Sequence, residues 1–150
     1  MTYLLDNNVL VELWKPRPDP AVVLWVSTAP EFLLPVPVIA EIQEGAEAAP
    51  SARRKLEILN HLNTFLQRHG GTVLDWDTET SRTWGRLKHS REVKLKPQPL
   101  WDSLIDAMAV RYGLTIATRN KTDFRHAPTF SPWDYQPPKP EAPPPTETKT

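Results

Sequence analysis

Leu100-Trp101-Asp102-Ser103-Leu104-Ile105-Asp106-Ala107-Met108-Ala109-Val110-Arg111-Tyr112-Gly113-Leu114-Thr115-Ile116-Ala117-Thr118 contains one complete structural unit. Its first part is strongly patterned and predicts a helix from Leu100 to Tyr112, entered after Pro97-Gln98-Pro99 and closed by Gly113. Leu114 to Thr118 is β-branched and apolar, the clearest strand in the chain.

The same alternation runs backwards from there. Tyr3-Leu4-Leu5 reads as a short buried strand ending at Asp6, with Asn7 or Asn8 capping a helix through Val9, Leu10, Leu13 and Trp14. Pro16, Pro18 and Pro20 stop that helix. A second helix is expected over 20–28, with Val22, Val23, Leu24 and Trp25 largely inward. Phe32-Leu33-Leu34-Pro35-Val36 is a second strand, kept short by Pro35 and Pro37, and it leads into a helix carrying Glu41. Ala52 to Arg68 is amphipathic through Leu56, Leu59, Leu62, Phe65 and Leu66, and Gly70-Gly71 ends it. Thr72-Val73-Leu74 is a third strand, and Thr78 to Glu92 is helical again. Short strands separated by helices imply an α/β fold, a short central parallel sheet flanked by helices, because parallel strands need crossover connections.

Composition narrows the function classes. A chain of 150 residues builds one domain. It has no Cys, which excludes disulfides, thiolate zinc sites and a cysteine nucleophile, and leaves the redox environment undetermined. The opening apolar run is cut at Asp6, too short for a signal peptide or membrane span, so a soluble cytoplasmic protein is expected. Eighteen acidic and eighteen basic residues balance, unlike a simple nucleic-acid coat. Basic residues do cluster locally at Arg82, Arg86, Lys88, Arg91, Lys94 and Lys96, a phosphate-binding run or a solvated face. From Gln136 onward the chain lacks large apolar residues and is rich in proline, so the domain is expected over 1–135 and a disordered, polyproline-II tail over 136–150.

In open parallel sheets, ligands gather beyond the carboxyl ends of the strands. Asp6 follows the first strand, Thr118, Arg119 and Asn120 follow the last, and Asp123 lies a few residues on. Glu41 and Asp102 sit early in helices that begin at that same end. Taken singly, Asp6 reads as a helix cap, Glu41 and Asp102 as surface charges, and Asp123 as a turn cap. Asp106 lies one turn from Asp102 and reads as a partner of Arg111 or Arg119. Taken together, the carboxylates would repel one another unless a cation neutralised them. Oxygen donors without Cys or His suit Mg²⁺, or Mn²⁺, far better than zinc, and such ions activate water for phosphoryl displacement.

Four segments resemble the ordered motifs of the PIN-domain ribonuclease family, especially its VapC- and FitB-like toxins of type II toxin–antitoxin systems. They are Leu4-Leu5-Asp6-Asn7-Asn8-Val9-Leu10, Val38-Ile39-Ala40-Glu41-Ile42-Gln43-Glu44-Gly45, Leu100 to Ala109, and Leu114 to Phe124; Pro132-Trp133 echoes a typical ending. The resemblance spans residues 3 to 134 and implies a PIN-like three-layer sandwich. It also implies Asp6 and Asp102 as principal metal ligands, Glu41 as a further ligand, and Asp123 completing the acidic group through water. Asn8 would orient Asp6, Thr118 and Asn120 would line the site, and Asp106 would add a supporting carboxylate. Arg82, Arg86, Lys88 and Arg119 are the candidate RNA contacts. The implied activity is metal-dependent hydrolysis of RNA, leaving a 3′-hydroxyl and a 5′-phosphate. The implied partners are an RNA substrate, a small cognate antitoxin and a second copy of the chain.

The sequence departs from the family at Pro35 and Val38, where many relatives carry Ser and Thr, and at Asp106, where a small residue is usual. An alternative is a PIN-like module that binds RNA or protein without cutting, which has no need of Asp6 and Asp102. A haloacid-dehalogenase-like phosphatase also begins with a strand ending in Asp, but needs a second Asp where Asn8 stands. His61, His69, His89 and His126 fall outside the motifs and are assigned no catalytic role, while Trp84 and Trp101 read as packing residues or base-stacking platforms.

Overall fold

The computed structural model describes residues 1–146. Five strands form one parallel sheet in the order β3-β2-β1-β4-β5: β1 (Thr2–Leu5), β2 (Glu31–Pro35), β3 (Val73–Leu74), β4 (Thr115–Ala117) and β5 (Thr129–Phe130). Seven α-helices flank it: α1 (Asn7–Leu13), α2 (Pro20–Ser27), α3 (Val36–Glu47), α4 (Ala52–His69), α5 (Thr78–Lys88), α6 (Arg91–Leu95) and α7 (Leu100–Tyr112). The expected α/β class with a parallel sheet is therefore the observed one.

The chain leaves β1 toward β2 and β3, then returns across the sheet to place β4 on the other side of β1. The crevice between β1 and β4 is thus the topological switch point, where open α/β sheets bind ligands. Leu5 pairs with Ala117, so Asp6 and Thr118 emerge side by side at its mouth. Beneath it Leu4, Leu10, Leu34, Val38, Ile105, Met108 and Ile116 are fully buried and form the heart of the core. Each such side chain contributes roughly 1.5–3 kcal/mol on burial.

Several expectations shift. Asp6, not Asn7 or Asn8, caps α1, because its own side chain accepts from the Asn7 amide. On α2 only Val22 and Trp25 are buried, one turn apart, while Val23 and Leu24 are 44% and 41% exposed; one helical face cannot bury four consecutive residues. Prolines do not shorten β2, which with five residues is the longest strand. Pro35 is its last residue and the cap of α3, where a missing N–H costs little. The third strand loses Thr72 to a 3-10 turn over 70–72, and the fourth keeps only Thr115–Ala117. The helix expected over 78–92 divides at His89, since Ser90 caps a separate α6 by accepting from the Val93 amide. The pair β5 went unforeseen. Residues 136–146 carry no helix or strand and are exposed, and the rest of the expected tail, 147–150, lies outside the described residues. No helix among the described residues is long and apolar enough to cross a membrane.

Candidate active site

Asp6 is delivered by the end of β1 and is 3% exposed. Its Oδ1 accepts from the Asn7 amide (2.7 Å) and its Oδ2 from the Thr118 hydroxyl (2.8 Å). Thr118 Oγ1 in turn accepts from Asn8 Nδ2 (3.2 Å) and from the Asn120 amide (3.0 Å). Asn8 Oδ1 accepts from the Arg119 amide at 3.5 Å. Asn8 thus reaches Asp6 through Thr118 rather than directly, and Asn120 takes part through its backbone. The network locks one carboxylate at the β1–β4 switch point.

The other acids arrive from three further elements. Glu41 projects from the middle of α3, Asp102 from the first turn of α7, and Asp123 from a 3-10 turn over Lys121–Asp123. Burial pushes the Glu41 carboxyl up to about 7, and the charges of Asp6, Asp102 and Glu44 add to the effect, with Asn7 offsetting part of it. Asp102 is also pushed up to about 7, first by burial and then by Asp6, Asp123 and Asp106. Asp6 is raised by burial and by Asp123, against the hydrogen bonds from Thr118 and Asn7. None of the influences on these three acids comes from a cationic side chain. Asp6, Glu41 and Asp102, distant in sequence, therefore share a field that no cationic side chain relieves.

That field suits a divalent cation. Glu41 Oε2 is buried without any hydrogen-bond partner, an expensive condition unless an ion satisfies it. The donors are all oxygen, as a hard cation prefers. Among the described residues, no three acidic or histidine side chains already enclose an ion-sized space. Mg²⁺ suits such an open arrangement, because it keeps several of its waters rather than demanding an all-protein cage.

Asp106 requires a correction. It is 1% exposed and pairs with neither Arg111 nor Arg119. Its Oδ2 accepts from Gln98 Nε2 (3.0 Å), the Arg125 and His126 amides (3.1 and 3.2 Å) and His126 Nδ1 (2.9 Å), and its Oδ1 accepts from the Ala127 amide (2.9 Å). Arg111 lies instead 3.8 Å from Asp77, and Arg119 stacks over Trp133. Asp106 is the anchor of the 125–127 loop. Gln98 and His126 were missed as parts of this arrangement, since neither lies in a motif and only the folded loop brings them to Asp106.

Of the candidate RNA contacts, Arg119 reaches the acidic cluster through the hydrogen bond its backbone amide donates to Asn8. Arg82, Arg86 and Lys88 are exposed on α5, which packs against α7. Lys88 sits over the Trp84 ring at 4.8 Å, and Trp84 Nε1 donates to Ser103 Oγ (3.0 Å), so this tryptophan ties α5 to α7. On the other side of Glu41, a cleft of about 260 Å³ runs between α1, α3 and α4. Asn7, Glu41, Lys15, Arg54 and the stacked pair Trp14–His61 are among the residues that line it.

A parallel α/β sheet that brings acids from β1, α3 and α7 together at its switch point is an arrangement suited to a divalent cation. Residues 3–129 match the PIN domain model, and the chain belongs to the PIN-domain family. It is 32% identical over 136 residues to a VapC ribonuclease of Sinorhizobium fredii, covering 87% of this chain and 97% of that protein. It is 27% identical to toxin FitB of Neisseria gonorrhoeae over 87% of this chain and 97% of the relative. The crystal structure of FitAcB from Neisseria gonorrhoeae superposes with a TM-score of 0.71 at 25% identity, over 90% of this chain and all (100%) of that one.

Proposed function

We propose that this chain is a Mg²⁺-dependent endoribonuclease and the toxin of a VapBC-like type II toxin–antitoxin system. The observation that carries the reading is the Glu41 Oε2 atom, buried without a hydrogen-bond partner near Asp6 and Asp102, acids on which no cationic side chain acts. Asp6, Asp102 and Glu41 would hold the ion, and Asp123 would complete the acidic group. When bound, Mg²⁺, or Mn²⁺ in its place, activates water and neutralises charge developing on the phosphodiester. Thr118, held by Asn8 and Asn120, keeps Asp6 from turning toward solvent. Water oxygen joins phosphorus, the bond to the 3′-oxygen breaks, and that oxygen takes a proton, leaving a 3′-hydroxyl and a 5′-phosphate. Arg119 beside the cluster and Arg82, Arg86 and Lys88 on α5 contact RNA phosphates.

The names and assembly of the relatives support a small antitoxin as partner, seated in the cleft between α1, α3 and α4. Residues 1–135 form the catalytic domain, which pairs as a homodimer in the cytoplasm, and the proline-rich segment beyond stands outside the chemistry. The test is cleavage of total cellular RNA by purified protein with Mg²⁺, with Mn²⁺, with EDTA, and with Asp6→Asn as the contamination control. Discrete products that need the metal and vanish in the variant are expected. RNA binding without cleavage under either metal would make the chain a non-catalytic PIN-like module instead.

A further inference from the structure

Asp102 and Asp106 stand on successive turns of α7, yet they are engaged in opposite ways. Asp102 has its field from other acids, whereas Asp106 has five hydrogen bonds from donors. Three of those donors are consecutive backbone amides, Arg125, His126 and Ala127, immediately beyond the turn that carries Asp123. Gln98 makes the connection tighter: its Nε2 donates both to Asp106 Oδ2 (3.0 Å) and to the Asp123 carbonyl (2.9 Å). The backbone of Asp123 is therefore tied by one amide group to the helix that presents Asp102.

We propose that Asp106 and Gln98 are positioning residues for the metal centre. Asp106 clamps the 125–127 loop onto α7, Gln98 extends that clamp to Asp123, and together they fix the separation between the Asp102 and Asp123 carboxylates. The inference rests on the reading of the acidic cluster as a metal site. A carboxylate only accepts, so His126 donates from Nδ1 to Asp106, while its Nε2 lies within hydrogen-bond distance, 2.9 Å, of the Ser90 hydroxyl. The line Ser90–His126–Asp106 has the residue types of a nucleophilic triad. Ser90 Oγ is, however, the cap of α6, accepting from the Val93 amide at 3.4 Å, and Asp106 is saturated by loop amides. The line instead extends the clamp to the basic α5–α6 segment.

Partners behind metal ligands change metal affinity by about 10–100-fold when removed. Gln98→Ala deletes the tie to Asp123 and leaves the loop amides on Asp106, so it keeps the fold. Asp106→Ala releases the whole loop. The experiment measures Mn²⁺ binding by calorimetry and by electron paramagnetic resonance, together with RNA binding in EDTA, for wild type and both variants. Mn²⁺ affinity is expected to fall about tenfold in Gln98→Ala and further in Asp106→Ala, with RNA affinity in EDTA unchanged in Gln98→Ala. Amide exchange should quicken at 125–127 in Asp106→Ala alone. Wild-type Mn²⁺ affinity in a folded Gln98→Ala overturns the proposal while leaving the metal site intact. A wild type that takes up no Mn²⁺ overturns the metal reading and this inference with it. Equal losses of Mn²⁺ and RNA affinity would mean general loosening of the fold, and would also overturn it.

Discussion

Replacing Asp102 by Asn removes a charge from the acidic cluster while keeping the side chain's size, and the consequence for stability depends on pH. The folded protein holds this carboxyl at about 7, against its ordinary 3.8. At about 1.4 kcal/mol per tenfold, that interval corresponds to about 4 kcal/mol, which solvent at a half-buried position reduces to about 2 kcal/mol. The sign follows from proton binding: between 3.8 and about 7 the folded state holds the proton more tightly than the unfolded chain, so stability falls as pH rises through that window. The penalty is absent below it and complete above it. Asp102→Asn is therefore expected to melt about 6 °C above the wild type at pH 8 in EDTA, taking about 3 °C per kcal/mol for a chain of this size. At pH 4 the two should melt together. On the proposed reading Mg²⁺ should reverse the order at pH 8, since a ligand at a hundred times its Kd adds about 2.7 kcal/mol to a protein that binds it, and the variant would lack one of the proposed metal ligands. Melting by circular dichroism at both pH values, with and without Mg²⁺, reads all of this. If the variant gains nothing at pH 8, or gains as much at pH 4, the argument from burial and charge repulsion is refuted.

Thr118→Val removes the hydroxyl that Asp6, Asn8 and Asn120 share; it should cost about 1–3 kcal/mol in urea denaturation and lower RNA cleavage with it. Ile116→Ala, in the middle of the sheet, should destabilise by about 2–5 kcal/mol without altering metal affinity per folded molecule, as a denaturant midpoint and a Mn²⁺ titration together can check. Gly113 closes α7 with φ 65°, so Gly113→Ala should cost about 1 kcal/mol in thermal melts and leave cleavage unchanged. Glu12 is buried and accepts from the Asp19 amide at 3.0 Å; Glu12→Ala should speed proteolysis of the 14–19 turn, and an unchanged cleavage pattern would show that this bond does not hold the turn.

The parts of the fold legible in the sequence were those where one physical rule dominates. The α7–β4 unit could be read almost to the residue because Gly113, in the left-handed region, stops the helix whatever packs around it. The division between α5 and α6 was not legible, since it depends on Ser90 turning its hydroxyl to the Val93 amide rather than continuing the helix. β5 has only two residues and exists because Ile116 and Ala117 offer it a paired edge, so no local pattern announces it. In the site, the convergence of Asp6, Glu41, Asp102 and Asp123 followed from counting strand ends and helix starts. The upward shifts of Asp6, Glu41 and Asp102 did not, because burial is the largest influence on each and burial is a property of the folded chain.

Asp102 and Asp106 show why identical residues on one helical face resist reading by motif alone. Helical spacing puts both on the same side of α7, and the sequence offers nothing to separate a ligand from an anchor. The separation comes from what faces each one. Opposite Asp102 lie Asp6 and Asp123, so its negative charge accumulates and a cation is the cheapest remedy. Opposite Asp106 lie three loop amides, an imidazole and the Gln98 amide, which supply the positive ends of dipoles without any ion. A loop of ordinary composition, folding back after Asp123, thus decides which of two aspartates is left unsatisfied. The same loop fixes Asp123 beside the one that is, so the satisfied acid builds the site for the unsatisfied one.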